Sequence, residues 1–206
     1  MIEQGSDEWF AMKLGKVSAS RIADVVAKGK GNAPSATRAN YAAQLMLERV
    51  TGQKQETYIN AAMNWGVEQE PLARLAYSLH KGVEVEEVSF IDHPFILRSG
   101  ASPDGLVGTD GMLEIKCPNT ATHIKWALAG EVPPEHALQL HWQMACTGRQ
   151  WNDFVSFDPR MPEGQQLFIR RLLRDNDLID KLESEVVFFD GSVEAMIIEC
   201  NGIKWF

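Results

Sequence analysis

An α/β fold with a mixed central β-sheet flanked by helices is what the order of segments predicts. Apolar residues recur at helical spacing over 40–50, over 61–77 and from Asp175 onward. Between these lie short runs with period-two alternation, or apolar runs bounded by Gly and Pro, at 83–88, 95–99, 112–117, 151–157 and 165–172. A pair of helical segments separates the third of these runs from the fourth. The order helices, strands, helix pair, strands, helix is that of an α/β domain.

Taken in order, Gly5-Ser6-Asp7-Glu8-Trp9-Phe10 opens a short helix with Ser6 or Asp7 as N-cap and acids in its first turn, ending near Gly15. Ser18-Ala19-Ser20 can cap a second helix through Val26. Exposed amides there, with two hydroxyls and Lys13 close in sequence, would seat a phosphate, although capping alone also accounts for the serines. Lys28 to Arg38 is a basic, glycine-containing loop suited to following a nucleic-acid backbone, or a plain surface loop. The helix over 40–50 places Tyr41, Leu45, Leu47 and Val50 on its apolar side and closes at Thr51-Gly52. That over 61–77 is interrupted in pattern at Gly66 and Pro71, and its Glu68 and Glu70 cannot share a face. Strands over 83–88 and 95–99 lead to a hairpin whose second strand is 112–117. Helices over 122–129 and from Pro133-Pro134 follow. The second puts Leu138, Trp142 and Ala145 toward a core and Gln139 and Gln143 together on another face. Strands over 151–157 and 165–172 flank the Asp158-Pro159-Arg160 turn, and the last helix reaches about Phe189.

With 206 residues, 45% hydrophobic and 23% charged, the chain suits one folded domain. No basic region followed by an apolar run opens it, and no stretch has the length of a membrane span. Cys117, Cys146 and Cys200 are widely spaced, which fits reduced thiols in a cytoplasmic protein. The net charge of −8 is unevenly spread, with a basic segment over 10–55 and an acidic one over 175–199. The five histidines form no HExxH, and GxxxxGK[ST], GxGxxG and GxSxG are absent. Trp9, Trp65, Trp126 and Trp142 fall in helical patterns and are expected in the core.

The chemistry concentrates in Ser102-Pro103-Asp104-Gly105-Leu106 and Leu113-Glu114-Ile115-Lys116-Cys117-Pro118. Alternation along a strand sends Glu114 and Lys116 to one side and Ile115 and Cys117 to the other. Two carboxylates and an ammonium at a sheet edge are what Mg²⁺-assisted attack on a phosphodiester needs. A turn aspartate and a solvated strand face would give the same letters.

Pro103-Asp104 followed by Glu114-Ile115-Lys116 matches the PD-(D/E)XK nuclease signature. Around it stand Gln4-Gly5-x-x-x-Trp9, Leu14-Gly15, Ser18-Ala19-Ser20, Trp65-Gly66-x-x-x-Glu70, Lys116-Cys117-Pro118, Gln139 and Asp158-Pro159-Arg160-Met161. On these residues the chain resembles the lambda-type, YqaJ-like viral recombinase family over nearly its whole length, and least beyond about residue 175. The resemblance implies a single nuclease domain over 1–206 with a restriction-endonuclease-like core. It implies a phage- or prophage-encoded, processive 5′-to-3′ exonuclease on double-stranded DNA, acting in the bacterial cytoplasm. Such an enzyme releases 5′-mononucleotides and leaves 3′ tails for strand annealing. Mg²⁺ is the implied cofactor, with Mn²⁺ as a possible substitute. The implied partners are duplex DNA ends, two further copies in a ring-shaped homotrimer, basic inside and acidic outside, and a single-strand annealing protein.

Carried over by position, Asp104, Glu114, Glu70 and the Ile115 backbone carbonyl would ligate the metal, which selects Glu70 over Glu68. Lys116 would position the attacking water or the phosphate, with Gln139 in support. Lys13, Ser18, Ser20 and Lys116 would hold the 5′-phosphate; the family has arginine at position 13, and lysine lacks its bidentate fork. Lys28, Lys30 and Arg38 would contact DNA, and Met63 would be an apolar wedge between the strands. An endonuclease on the same core and a non-catalytic DNA-end binder are the rival readings.

Overall fold

The computed structural model describes residues 2–30, 35–55 and 60–204, so residues 31–34 of the basic loop lie outside it. The elements are α1 (Asp7–Lys13), β1 (Val17–Ser18), a 3₁₀ turn (Ala19–Arg21), α2 (Ile22–Val25), α3 (Ala36–Thr51), α4 (Ala61–Lys81), β2 (Ile91–Asp92), β3 (Ser99–Ala101), β4 (Gly105–Val107), β5 (Gly111–Lys116), α5 (Thr120–Ala129), α6 (Pro134–Thr147), β6 (Trp151–Phe157), β7 (Leu167–Leu173) and α7 (Asn176–Gly202).

The expected mixed arrangement is present as two sheets. One has the order β1-β3-β2, the other β4-β5-β6-β7. Strand β5 pairs antiparallel with β4 and parallel with β6, and β6 pairs antiparallel with β7. A parallel neighbour requires a crossover, which α5 and α6 supply between β5 and β6. Gly148, at φ 72°, ends α6 and turns the chain into β6. Both faces of β5 are covered. Leu113 and Ile115 pack with Ala73 and Tyr77 of α4, whereas Met112 packs with Trp142 of α6. Glu114 and Lys116 therefore share the α6 side of a buried strand, as alternation predicts.

Local donors and acceptors explain where the sequence pattern misled. No strand runs over 95–99, because Nδ1 of His93 accepts the N–H groups of Phe95 (3.3 Å) and Ile96 (3.2 Å) and bends the chain after Pro94. Phe95 and Leu97 are exposed there, and β3 begins only at Ser99. Over 83–88 the alternation yields one bridge, Glu86 to Leu106, since β4 is too short to extend the pairing. Ser18 lies on β1 and caps nothing with its side chain. Helix α4 runs unbroken through Gly66 and Pro71 to Lys81. On α3, Tyr41 and Leu45 are buried, but Leu47 and Val50 are exposed.

Helix α7 passes Phe189 and continues to Gly202 because Val193 is buried in the core and ion pairs hold its polar side. Arg49 of α3 binds Asp190 at 2.5 Å and Glu194 at 2.8 Å, Arg98 also binds Glu194, and Arg38 binds Glu185 at 3.2 Å. Much of the charge asymmetry in the sequence is thus consumed inside the molecule. Among the described residues, no helix is long and apolar enough to cross a membrane, and the three cysteines are free.

Candidate active site

Asp104 is separated from the end of β3 by Ser102 and Pro103 and lies in the bend that opens β4. Its N–H donates to the Leu113 carbonyl at 3.2 Å, and its Oδ2 accepts the Ile115 N–H at 2.6 Å. The hairpin thereby locks the aspartate against the strand that carries Glu114. Glu114 is almost fully buried and saturated with donors. Its Oε1 accepts from Lys116 Nζ and from Gln139 Nε2 at 2.6 Å, and its Oε2 accepts from Gln143 Nε2 at 2.5 Å. Glu70, on α4, accepts from Arg74 at 2.5 Å, and the same arginine donates to the Asp104 carbonyl at 2.9 Å. Glu68 is exposed.

Three carboxylates from different elements therefore meet around Lys116 and Arg74, and their electrostatics reflects crowding. Burial, and then the charges of Glu114 and Glu70, raise the Asp104 carboxyl well above its usual range. Burial also raises Glu70, with Glu114 adding to it against Arg74. For Lys116 burial disfavours the charge, but the Glu114 and Asp104 carboxylates outweigh it and push the ammonium upward.

As placed, no three carboxylate, imidazole or thiolate groups among the described residues are gathered closely enough to share an ion. The donor chemistry nevertheless fits a hard cation. Asp104, Glu114 and Glu70 offer carboxylate oxygens whose mutual repulsion a divalent ion would relieve. To ligate it, Glu114 would exchange an amide or ammonium donor for the ion. The bond seen at Ile115 is from its N–H to Asp104.

On the other side of Lys116 a cavity of about 190 Å³ runs from Asp104, Glu114, Lys116 and Gln139 to Lys13, Ser18 and Ser20. Trp9 and Ser102 form part of its wall, with Trp9 Nε1 donating to Ser102 Oγ at 2.9 Å. Lys13 Nζ stands 4.0 Å from the Trp9 ring centroid, and the two serine hydroxyls are 3.3 Å apart. Burial, with the nearby Lys54 charge, brings the Lys13 ammonium down to about 8. A larger groove of about 700 Å³, lined by Glu84, Glu86 and Asp110 among others, holds none of the expected site residues.

The other expected contacts are dispersed. Met63 is exposed and lines cavities on both sides of the α4 N-terminus. Lys28 and Lys30 are exposed and line neither. Arg38 is turned inward, donating to the Val25 carbonyl and Glu185 and lying 5.2 Å from the Phe189 ring.

Trp126 and Trp142 are core residues as expected, but Trp9 is a half-buried cavity wall and Trp65 is half-buried beneath Arg160. Gln143 and Asn152 are the residues that spacing did not assign. Asn152 Nδ2 donates to Gln143 Oε1 at 2.7 Å, and Gln143 passes its own N–H to Glu114. Both amides are fully buried. The signal for Gln143 was its helical offset of four from Gln139; for Asn152, within an apolar strand, there was none.

The YqaJ-like viral recombinase domain matches residues 8–150 of the chain. Among solved structures, an alkaline exonuclease (LHK-Exo) from Laribacter hongkongensis has a TM-score of 0.89 and 50% identity, covering 95% of this chain and 96% of that one. The LHK-Exo structure in complex with dAMP gives the same values. A phage-related exonuclease from Haemophilus somnus 129PT shares the fold, with a TM-score of 0.72, 16% identity and coverage of 90% and 96%. No curated protein matches the chain.

Proposed function

The chain belongs to the YqaJ-like viral recombinase family, and from that premise we propose that it is a Mg²⁺-dependent exonuclease acting on duplex DNA. It digests one strand processively from the 5′ end, releases 5′-mononucleotides and leaves 3′ tails for recombination by strand annealing. The observation that carries this reading is the single cavity joining Lys13, Ser18 and Ser20 to Asp104, Glu114 and Lys116. A terminal phosphate at one end and a scissile phosphate at the other fit the two chemistries. The alkaline exonuclease relative, solved also with dAMP, supports the choice of reaction.

In this mechanism Lys13 and the serine hydroxyls bind the 5′-phosphate and fix the strand. Lys116 orients the attacking water or holds the scissile phosphate, its ammonium kept charged by Glu114 and Asp104. Gln139 and Gln143 fix the Glu114 carboxylate. Mg²⁺ held by Asp104, Glu114 and Glu70, or Mn²⁺ in its place, would supply an activated water and offset charge on phosphorus. A homotrimeric ring around the DNA and a single-strand annealing protein as partner complete the proposal.

A time course on 5′-phosphorylated linear duplex with each strand end-labelled, beside covalently closed circles, tests the reaction. The expected result is loss of the 5′-phosphorylated strand to mononucleotides with Mg²⁺, none with EDTA, and intact circles. Cut circles would make the protein an endonuclease. No nucleotide release under any divalent metal would reduce it to a DNA-end binder.

The seat makes its own prediction. A 5′-phosphate end should be digested about tenfold or more faster than a 5′-hydroxyl end at pH 7, because the contact pairs a full negative charge with an ammonium. Lys13 is protonated below about 8 and loses its charge above it. The kcat/KM ratio between the two ends, which reports the free enzyme, should therefore shrink as the pH rises through about 8. A flat ratio from pH 6 to 10 would remove Lys13 from the seat.

A further inference from the structure

Beyond the seat lies a second cavity that the hydrolysis does not use. It measures about 350 Å³ and shares Lys13, Ser18 and Ser20 with the cavity that reaches the carboxylates. From there it continues to Arg21, Gln44 and Lys54. The two cavities meet at the seat and leave it toward opposite chemistries, one toward carboxylates and the other toward cations.

The cations are built into the wall. Phe10 and Trp9, adjacent on α1, meet edge to face at 4.8 Å. Each carries an ammonium, Lys54 3.1 Å from the Phe10 ring centroid and Lys13 4.0 Å from that of Trp9. Neither lysine makes an ion pair among the described residues. Arg21 lies 4.2 Å over Tyr41, paired with Asp24, and donates to Gln44 at 3.0 Å. The acid in this wall, Glu48, is turned to the Gly15 N–H at 3.0 Å and to Gln44 at 2.8 Å. Lys54 and Arg21 both oppose the charge on Lys13, and Glu48, held by the Gly15 N–H and Gln44, offsets them only in part.

A strand whose 5′-phosphate sits on Lys13, Ser18 and Ser20 runs from there to the carboxylates. A group joined to that phosphate on its far side has the second cavity next to it, since both cavities are lined by the same three residues. We propose that this cavity receives the β- and γ-phosphates of a 5′-triphosphorylated strand, so that the enzyme accepts 5′-polyphosphate ends as well as monophosphate ends.

The inference rests on the seat and the reaction proposed above. It implies an unusual first product. Water oxygen adds to the phosphorus of the second nucleotide, the 3′ oxygen of the first leaves and takes a proton, and a nucleoside 5′-triphosphate is released. Every later product is a monophosphate.

The test uses three linear duplexes differing only in a 5′-hydroxyl, 5′-monophosphate or 5′-triphosphate, with the wild type and Lys54→Gln at pH 7. The first nucleotide is identified by chromatography. The expected result is digestion of the triphosphate end within about threefold of the monophosphate end, with a nucleoside triphosphate released first. Lys54→Gln should slow the triphosphate end by about tenfold and the monophosphate end by less than about twofold.

A triphosphate end as slow as the hydroxyl end, while the monophosphate is still preferred, would overturn the inference. So would a triphosphate end digested equally well by the wild type and by folded Lys54→Gln. Equal rates for the monophosphate and hydroxyl ends would instead overturn the seat itself. Lys54 is exposed just after α3 ends, and a melting curve on the variant confirms its fold.

Discussion

Lys116→Met should abolish nucleotide release, lowering kcat by roughly 10³-fold or more while duplex binding persists. The side chain keeps its unbranched stem and loses the charge and the hydrogen bond to Glu114. With the ammonium gone, Glu114 and Asp104 face each other without the cation that offsets them, and no group remains to orient water or hold the scissile phosphate. Single-turnover rates on 5′-phosphorylated duplex, with binding measured in Ca²⁺, separate chemistry from affinity. The melting temperature guards against a folding defect, because Glu114 is buried beside the deletion. A variant within tenfold of wild type would place the reaction elsewhere in the molecule.

Gln143→Leu should cost about 10- to 100-fold in kcat with little change in KM for DNA, as loss of a buried partner of a ligand or base commonly does. The amide touches no substrate cavity; it hands a hydrogen bond from Asn152 to Glu114. Its removal takes from Glu114 Oε2 and Asn152 Nδ2 the partner each has in Gln143, at a stability cost of about 1–3 kcal/mol. The double variant Gln143→Leu/Asn152→Leu separates the two effects. It should recover part of the stability, since the stranded Asn152 amide is gone while Glu114 Oε2 still lacks its donor, and should not recover rate. Recovery of both would make the relay a packing feature without influence on Glu114.

How far these residues were legible varied with the range of the cause. Strand β6 falls on Trp151–Phe157 as the pattern has it, because an apolar run between a glycine-marked turn and Asp158-Pro159 needs no distant information. The Ser6 cap and the joint orientation of Glu114 and Lys116 are equally local. The failures came from partners far away in the chain. Arg38 reads as a basic loop residue, but Glu185, 147 positions on, claims it. The end of α7 was invisible because Arg49 and Arg98, which hold Asp190 and Glu194, lie 96 to 145 residues earlier. A histidine side chain, rather than backbone propensity, decided the turn after Pro94. Glu70 could not be told from Glu68 by spacing, and the fold separates them by which one Arg74 reaches.

Strand β3, which pairs with the β1 segment bearing Ser18, ends at Ala101, and only Ser102 and Pro103 separate it from Asp104. The proposed phosphate seat and the proposed metal ligand are thus joined by one short bracket. An enzyme so built would measure each cut by reach instead of by reading bases, one sugar-phosphate unit per stroke. Lengthening the bracket by inserting residues after Ala101 should alter the length of the released fragment before it alters the choice of sequence.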